Sequence, residues 1–246
     1  MSPVNRHRRP ALPKISCSHC SLAELCLPAG LNQAEIEQLN RIIRRRRPVP
    51  RGDFVFQVGD PSQSLYAVHS GCIKTCVPSA DGHEQILGFH LPGELVGLDA
   101  LESENHVCGA VALETVHVCE LPLAQLEGMC HRLPGLPHRL LRLIGREVTA
   151  KHAMLLLLGK RSAEERLATF LLSLASRFRQ RGFSEKEFGL SMPRDDIANY
   201  LGLARETVSR LLSRFQTDGL LSVQRRRVRI HDMGRLQTLT TLAAIN

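Results

Sequence analysis

No run of 18 apolar residues occurs in this 246-residue chain, so no segment is expected to cross a bilayer as a helix. The N-terminus is basic but lacks the apolar stretch of a secretory signal, and a cytoplasmic protein without a membrane partner is expected. A second absence is local. Between Gly52 and His131 there is no arginine and one lysine, Lys74, against the carboxylates of Asp53, Asp60, Asp81, Glu84, Glu94, Asp99, Glu102, Glu104, Glu114, Glu120 and Glu127. A third is chemical: no phosphate loop and no nucleophile beside a base is visible, and His69, His83, His90, His106 and His117 stand singly on expected strands. Such histidines are more often structural than catalytic, so an enzyme is not expected.

What is present is unevenly distributed. The chain has the length for two domains, and its formal charge of +8 points to a polyanionic partner. With the 52–131 block acidic, the surplus of lysine and arginine lies in the C-terminal half. Eight cysteines in a cytosolic chain read as reduced thiols, some of them metal ligands, rather than disulfides. Three of them, Cys17, Cys20 and Cys26, fall within ten positions. Three thiolates are one short of a closed tetrahedral site, so this segment is either inert or completed by a ligand elsewhere.

Residues 1–14 read as a flexible Pro- and Arg-rich tail. From Gly52 to Glu120, glycines in turn contexts separate short runs at Phe54–Val58, Leu65–Val68, Ile73–Val77, Gln85–His90, Val107–Leu113 and Val116–Leu121. Strands punctuated in this way indicate an all-β barrel or jelly roll. The period then changes. Pro137, Leu141, Ile144, Val148, Lys151, Leu155 and Leu158 follow alternating steps of four and three, the seam of a coiled coil. A long dimerisation helix is expected, with burial against its own barrel as the alternative. Lys151 in that seam opposes pairing, since two ammonium groups would meet in a parallel dimer. Ser162 to Glu165 forms a capping box that opens a further helix carrying Leu167, Phe170, Leu171, Leu174 and Phe178.

The basic half holds a reading head. In SMPRDDIANYLGLARETVSRLLSRF, residues 191–215, Pro193 opens one helix, Gly202-Leu203-Ala204 turns, and a second helix begins near Arg205. Two short helices joined by such a turn are a helix-turn-helix signature. Val208, Leu211, Leu212 and Phe215 face inward, which leaves Glu206, Ser209, Arg210 and Ser213 outward. Arg210 suits a guanine edge, Glu206 the amino group of cytosine, and Ser209 either. Beyond Asp218-Gly219, two strand signals flank Gln224-Arg225-Arg226-Arg227, a wing with arginines for phosphates. Double-stranded DNA with a two-fold symmetric site is the expected partner; a basic domain that binds protein is the bland alternative.

These residues together resemble the CRP/FNR family of bacterial transcription regulators over nearly the whole chain. The resemblance is carried by Glu206-Thr207-Val208-Ser209-Arg210, which looks like the E-x-x-S-R reading motif of the FNR branch, and by Glu84-Gln85-Ile86, Gly88-Phe89-His90-Leu91 and Ala112-Leu113-Glu114-Thr115. It implies an α+β fold: an N-terminal β-roll like the cyclic-nucleotide-binding jelly roll, a long dimerisation helix and a C-terminal winged helix-turn-helix. The corresponding boundaries are 1–30 for the tail and cluster-binding loop, 31–132 for the roll, 133–160 for the helix and 161–246 for the DNA-binding domain. Arg205 departs from the FNR pattern, since the cAMP-receptor branch places a guanine-reading arginine there. Gly93-Glu94-Leu95 is present, but where that branch carries its phosphate-binding Arg-Ser or Arg-Thr pair this chain reads Glu104-Asn105-His106-Val107-Cys108. A phosphodiester without a guanidinium partner is poorly held, so no cyclic nucleotide is expected.

The resemblance implies instead a [4Fe-4S] cluster. Oxygen-sensing members hold it through three N-terminal cysteines spaced C-x2-C-x5-C, as Cys17, Cys20 and Cys26 are, and a fourth in a Val-Cys-Glu context, which is Cys119 here; Cys108 is its rival. Cys72, Cys76 and Cys130 read as buried or half-buried side chains. The expected protein is an oxygen-responsive homodimeric regulator, active under low oxygen, that contacts RNA polymerase through the loop Ser79–Glu84. The alternative is a constitutively dimeric regulator with a thiol-redox or zinc module.

Overall fold

The computed structural model describes residues 16–79 and 82–241; the expected tail at 1–14 lies outside them. After a 3-10 turn at Cys17–His19, helix α1 spans Gln33–Ile42, opened by a capping box between Asn32 and Glu35. Strands β1 (Arg44–Arg45), β2 (Phe54–Phe56), β3 (Ser64–Ser70), β4 (Ile73–Pro78), β5 (Glu84–His90), β6 (Leu95–Val96), β7 (Gly109–Ala112) and β8 (His117–Pro122) build the roll. They form two four-stranded antiparallel sheets, ordered β1-β8-β3-β6 and β2-β7-β4-β5. Helices α2 (Leu123–Cys130), α3 (Gly135–Lys160) and α4 (Ala163–Gln180) follow. Strand β9 (Glu187–Gly189), helices α5 (Arg194–Leu201) and α6 (Arg205–Thr217), the hairpin β10 (Leu221–Gln224) and β11 (Arg227–Ile230), and α7 (Met233–Thr241) complete the chain.

Alternation along the strands divides the apolar side chains between two sides. Phe56, Tyr66, Val68, Ile73, Ala110, Ala112 and Val118 fill the space between the sheets. Leu65, Ala67, Cys119 and Leu121 point out of the first sheet, where Leu27 of the N-terminal segment, Leu39 of α1 and Leu136 of α3 cover them. Cys72, Cys76, Ile86, Phe89, Val111 and Leu113 join the core of α4 and the helix-turn-helix on the other side. The roll is therefore clad on both faces. Cys130 is half-buried on α2.

Polar joints fix the DNA-binding half to the second sheet. Glu94 accepts from Arg177 Nη2 at 2.5 Å and Nε at 3.0 Å and from Arg181 Nη2 at 2.6 Å, while Phe89 O and Pro92 O take further bonds from the same two guanidiniums. Lys74 pairs with Glu84 and, at 3.3 Å, with Asp196 of α5. Asn199 Oδ1 accepts from Ile86 N at 2.7 Å and its Nδ2 donates to Glu84 O at 2.6 Å, occupying the open edge of β5. Although the 52–131 block contains no arginine, guanidinium groups do reach the acidic barrel. They come from sequence positions outside the arginine-free block, Arg177 and Arg181 from α4 and Arg46, which forms a bidentate pair with Glu120 at 2.7 and 3.0 Å.

Burial raises the Glu94 carboxyl, but Arg177 and then Arg181 outweigh it and leave the group below its ordinary value of 4.5. At Arg177 pairing outweighs burial and at Arg181 burial outweighs pairing; a guanidinium stays charged in both cases, so the pH dependence resides in Glu94. A carboxylate with a depressed folded value stabilises the fold fully above the unfolded value and loses that contribution as pH falls through the folded one. Glu94→Gln is expected to lower stability at pH 7 by on the order of 2 kcal/mol in urea unfolding. The gap to the parent protein should close as pH is taken from 5 to 3.

Candidate metal centre and nucleic-acid interface

The N-terminal segment is a series of tight turns rather than a helix. Ser16 Oγ accepts from Ser18 N at 3.3 Å, Cys20 N donates to Cys17 O at 3.3 Å, Ala23 N to Cys20 O at 3.1 Å and Cys26 N to Leu22 O at 3.0 Å. Leu27 is buried against the first sheet and anchors the run. Cys17, Cys20, Cys26 and Cys119 all line one small cavity of about 30 Å³, walled otherwise by apolar side chains such as Leu22, Leu27, Leu39 and Ala67, with His69 at its margin. No three His, Cys, Asp or Glu side chains among the described residues are gathered tightly enough for a single metal ion. The four thiols ring the cavity without being drawn together.

Cys17, Cys26 and Cys119 are reluctant to ionise alone. Cys17 is pushed up to about 11 by burial, then by Cys119 and Cys20. Cys26 is pushed up to about 12, again by burial first, with a hydrogen bond from Leu27 opposing and Cys119, Cys17 and Cys20 adding to the rise. Cys119 is raised by burial and opposed by Arg45. Sulfurs that repel one another as thiolates are stabilised as a set by a positively charged group among them, and the thiolate chemistry fits an iron-sulfur group. Cys108 lies apart: it packs beside the space between the sheets, with its Sγ 3.8 Å from Asp99 Oδ2.

The cysteine segment is tied to both neighbours. Arg139 of α3 donates from Nε to Cys26 O at 2.9 Å and from Nη2 to Glu24 O at 3.0 Å. Leu25 rests on Gly93, where an added Cβ would come within 3.0 Å of the leucine Cβ and φ is +90°. Of Arg139, Asn40 and Arg45, Arg45 alone carries a signal along the chain, the run Arg44 to Arg47.

On α3, Leu141, Val148 and Leu155 are 66%, 46% and 68% exposed, so three seam positions seven apart form an uncovered apolar stripe. Ile144, Lys151 and Leu158 are half-buried. Lys151 Nζ is directed to Leu87 O at 2.7 Å and Glu147 at 3.2 Å.

In the winged domain α5 ends at Gly202, whose left-handed backbone (φ 60°) makes the turn into α6. Val208, Leu212 and Phe215 are buried, while Arg205, Glu206, Arg210 and Ser213 are exposed and Ser209 half-buried. Arg205 Nε lies 3.3 Å from Asp195, Arg210 donates to Thr207 Oγ1 at 3.4 Å and Arg194 to Ser209 Oγ at 3.4 Å. Arg225 and Arg226 form the wing tip, and Arg227 opens β11, where Glu187 of β9 pairs with it at 2.6 Å. The expected two-stranded wing thus gains β9 as a third strand, ordered β10-β11-β9.

A roll domain joined by a long helix to a winged helix-turn-helix defines a DNA-binding transcription regulator. The Crp-like helix-turn-helix domain model matches residues 165–239 and the cyclic nucleotide-binding domain model residues 46–132. The transcriptional activator protein Anr of Pseudomonas aeruginosa is 49% identical over 222 residues, 90% of this chain and 91% of that one. The fumarate and nitrate reduction regulatory protein of Escherichia coli is 47% identical over 225 residues, 92% and 90% of the two chains. The solved structure of FixK2 from Bradyrhizobium japonicum has a TM-score of 0.74 at 30% identity, covering 80% of this chain and 97% of that one. The chain belongs to the CRP/FNR family of transcription regulators, and these relatives are regulators rather than enzymes.

Arg225 has φ 55°, a left-handed conformation at the first position of a two-residue hairpin turn, which glycine adopts without strain. Arg225→Gly is expected to raise the stability of the protein by about 1 kcal/mol, read as a higher urea midpoint with unchanged slope.

Proposed function

We propose that this protein is an oxygen-responsive transcription activator of the cytoplasm. Cys17, Cys20, Cys26 and Cys119 hold a [4Fe-4S] cluster that controls dimerisation and promoter binding, and the regulator acts when oxygen is low. The observation that carries this reading is that these four cysteines, and not Cys108, line one cavity between the N-terminal turns and β8. The names of the two relatives, a transcriptional activator and a fumarate and nitrate reduction regulator, support it. No helix among the described residues is long and apolar enough to cross a membrane.

When bound, such a cluster supplies an oxygen-labile link between the segment and the strand. The chain's own residues transmit the state of that link. Arg139 grips the carbonyls of Cys26 and Glu24, so a displaced segment releases the start of α3. The exposed Leu141, Val148 and Leu155 stripe is the surface for a second copy, and Ile144, Lys151 and Leu158 flank it. Lys151 held at Leu87 O keeps its charge to the side of the stripe; turned inward, it opposes association.

Two copies place two α6 helices on a palindromic site. Arg205, Glu206, Ser209 and Arg210 face base edges there, and Arg225, Arg226 and Arg227 meet phosphates. Arg205 leaves Asp195 to do so. The loop Ser79–Glu84, of which Ala80 and Asp81 lie outside the described residues, meets RNA polymerase. A cyclic nucleotide plays no part. The roll interior is taken up by the Phe56 and His106 rings, stacked at 3.7 Å, and by Tyr66, while His106 Nδ1 is bound to Asp99 at 3.2 Å.

Purified without oxygen, the protein is expected to be brown, to contain iron and sulfide in equal amounts and to bleach in air. A colourless protein with equimolar zinc would overturn the reading. Cys119→Ser should abolish the absorbance and Cys108→Ser should spare it; the reverse would reassign the fourth ligand. Arg210→Ala should weaken binding to the correct site by roughly 1 to 3 kcal/mol in a titration at fixed salt. An equal loss on random DNA would argue against base reading by this residue.

A further inference from the structure

Arg45 lies beside Cys119 across the first sheet with an unmet donor. Its Nε is buried and has no hydrogen-bond partner among the described residues. Strand β1 runs antiparallel to β8 with Arg45 directly opposite Cys119, and residues paired in this way project from the same face with Cβ atoms about 5 Å apart. The guanidinium therefore shares the outer face of the first sheet with the Cys119 sulfur. Its far end is pinned: Nη2 donates to Asn40 Oδ1 at 3.1 Å, and the same oxygen accepts from Cys17 N at 3.3 Å. Asn40 thus couples the arginine to a second cysteine of the set. A buried N–H left unpaired is costly, and sulfur ligands are acceptors for it.

We propose that Arg45 is a positioning residue for the iron-sulfur centre, its fixed positive charge and buried Nε–H directed at the Cys119 and Cys17 sulfurs so as to favour the form that carries one more electron. The proposal rests on the function proposed above and deepens it. Cluster potentials follow net charge, hydrogen bonds to sulfur and exposure. A cation pinned beside the ligands raises the potential, and Asn40 sets where that cation stands. Arg46, one residue on, projects from the opposite face to Glu120 and Tyr66 and serves as an internal control.

The test uses the full-length protein, loaded with iron and sulfide without oxygen and titrated with redox dyes while its visible absorbance is followed. Arg45→Gln is expected to load as the parent does, to show a more negative potential and to bleach several-fold faster in air-saturated buffer. Arg45→Lys, which keeps the charge and loses the Nε–H, should fall between the two, and Asn40→Ala should shift the potential in the same direction as Arg45→Gln. A loaded Arg45→Gln protein with the parent's potential and bleaching rate overturns the proposal and leaves the cluster reading intact. Should Arg45→Gln fail to load, parent values for both Arg45→Lys and Asn40→Ala overturn it equally. A parent protein that takes up neither iron nor sulfide overturns both readings.

Discussion

Side chains on β3 and β8 alternate between two environments, and the location of the four-cysteine cavity follows from that alternation. Tyr66, Val68 and Val118 turn inward and hold the two sheets together, while Leu65, Ala67, Cys119 and Leu121 turn outward to meet the N-terminal segment. A shift of one residue in β8 would exchange Cys119 with Val118 or Glu120 and leave the segment facing no fourth thiol. The bidentate pair of Glu120 with Arg46, reinforced by Ser64 Oγ at 3.0 Å, holds that register from the opposite face. The sheet is thus locked by polar contacts on one side and by packing of the cysteine segment on the other.

The elements that depend on local signals were legible in the sequence. Turn glycines outlined the longer roll strands, the Ser162–Glu165 box forms at α4, and the turn at Gly202 divides the two helices of the reading head. Shorter pieces were not legible: β1, β6 and β9 have two or three residues each, too few to display a period. Helix α1 carried a readable box at Asn32 and Glu35, but it is only ten residues long and buries a single side chain, Leu39, so its signal is short. Of the site, the cysteine spacing was visible, whereas Asn40, Arg45 and Arg139 gain meaning only from chain segments that folding brings beside them.

The arginine-free block illustrates the same limit. Read along the chain, Glu94 and Glu120 are unpartnered acids; in space, three guanidiniums from flanking segments serve them. Ion pairs of both polarities clamp the roll to the C-terminal half, Glu94 with Arg177 and Arg181 of α4 and Lys74 with Asp196 of α5. The Glu94 fork adjoins Gly93, on which Leu25 of the cysteine segment rests. A disturbance of that segment has two short routes outward, one through Arg139 to α3 and one through Gly93 and Glu94 to α4.

The amide of Asn199 stands on β5 where the peptide group of a neighbouring strand would stand, satisfying Ile86 N and Glu84 O at an otherwise open sheet margin. Exposed strand margins recruit further strands. The winged domain consequently acts as a plug for the roll as well as a reader of DNA, and any conformation in which it swings away leaves a bare template for sheet growth. A single side chain thus both covers the sheet margin and contributes to the orientation of the winged domain.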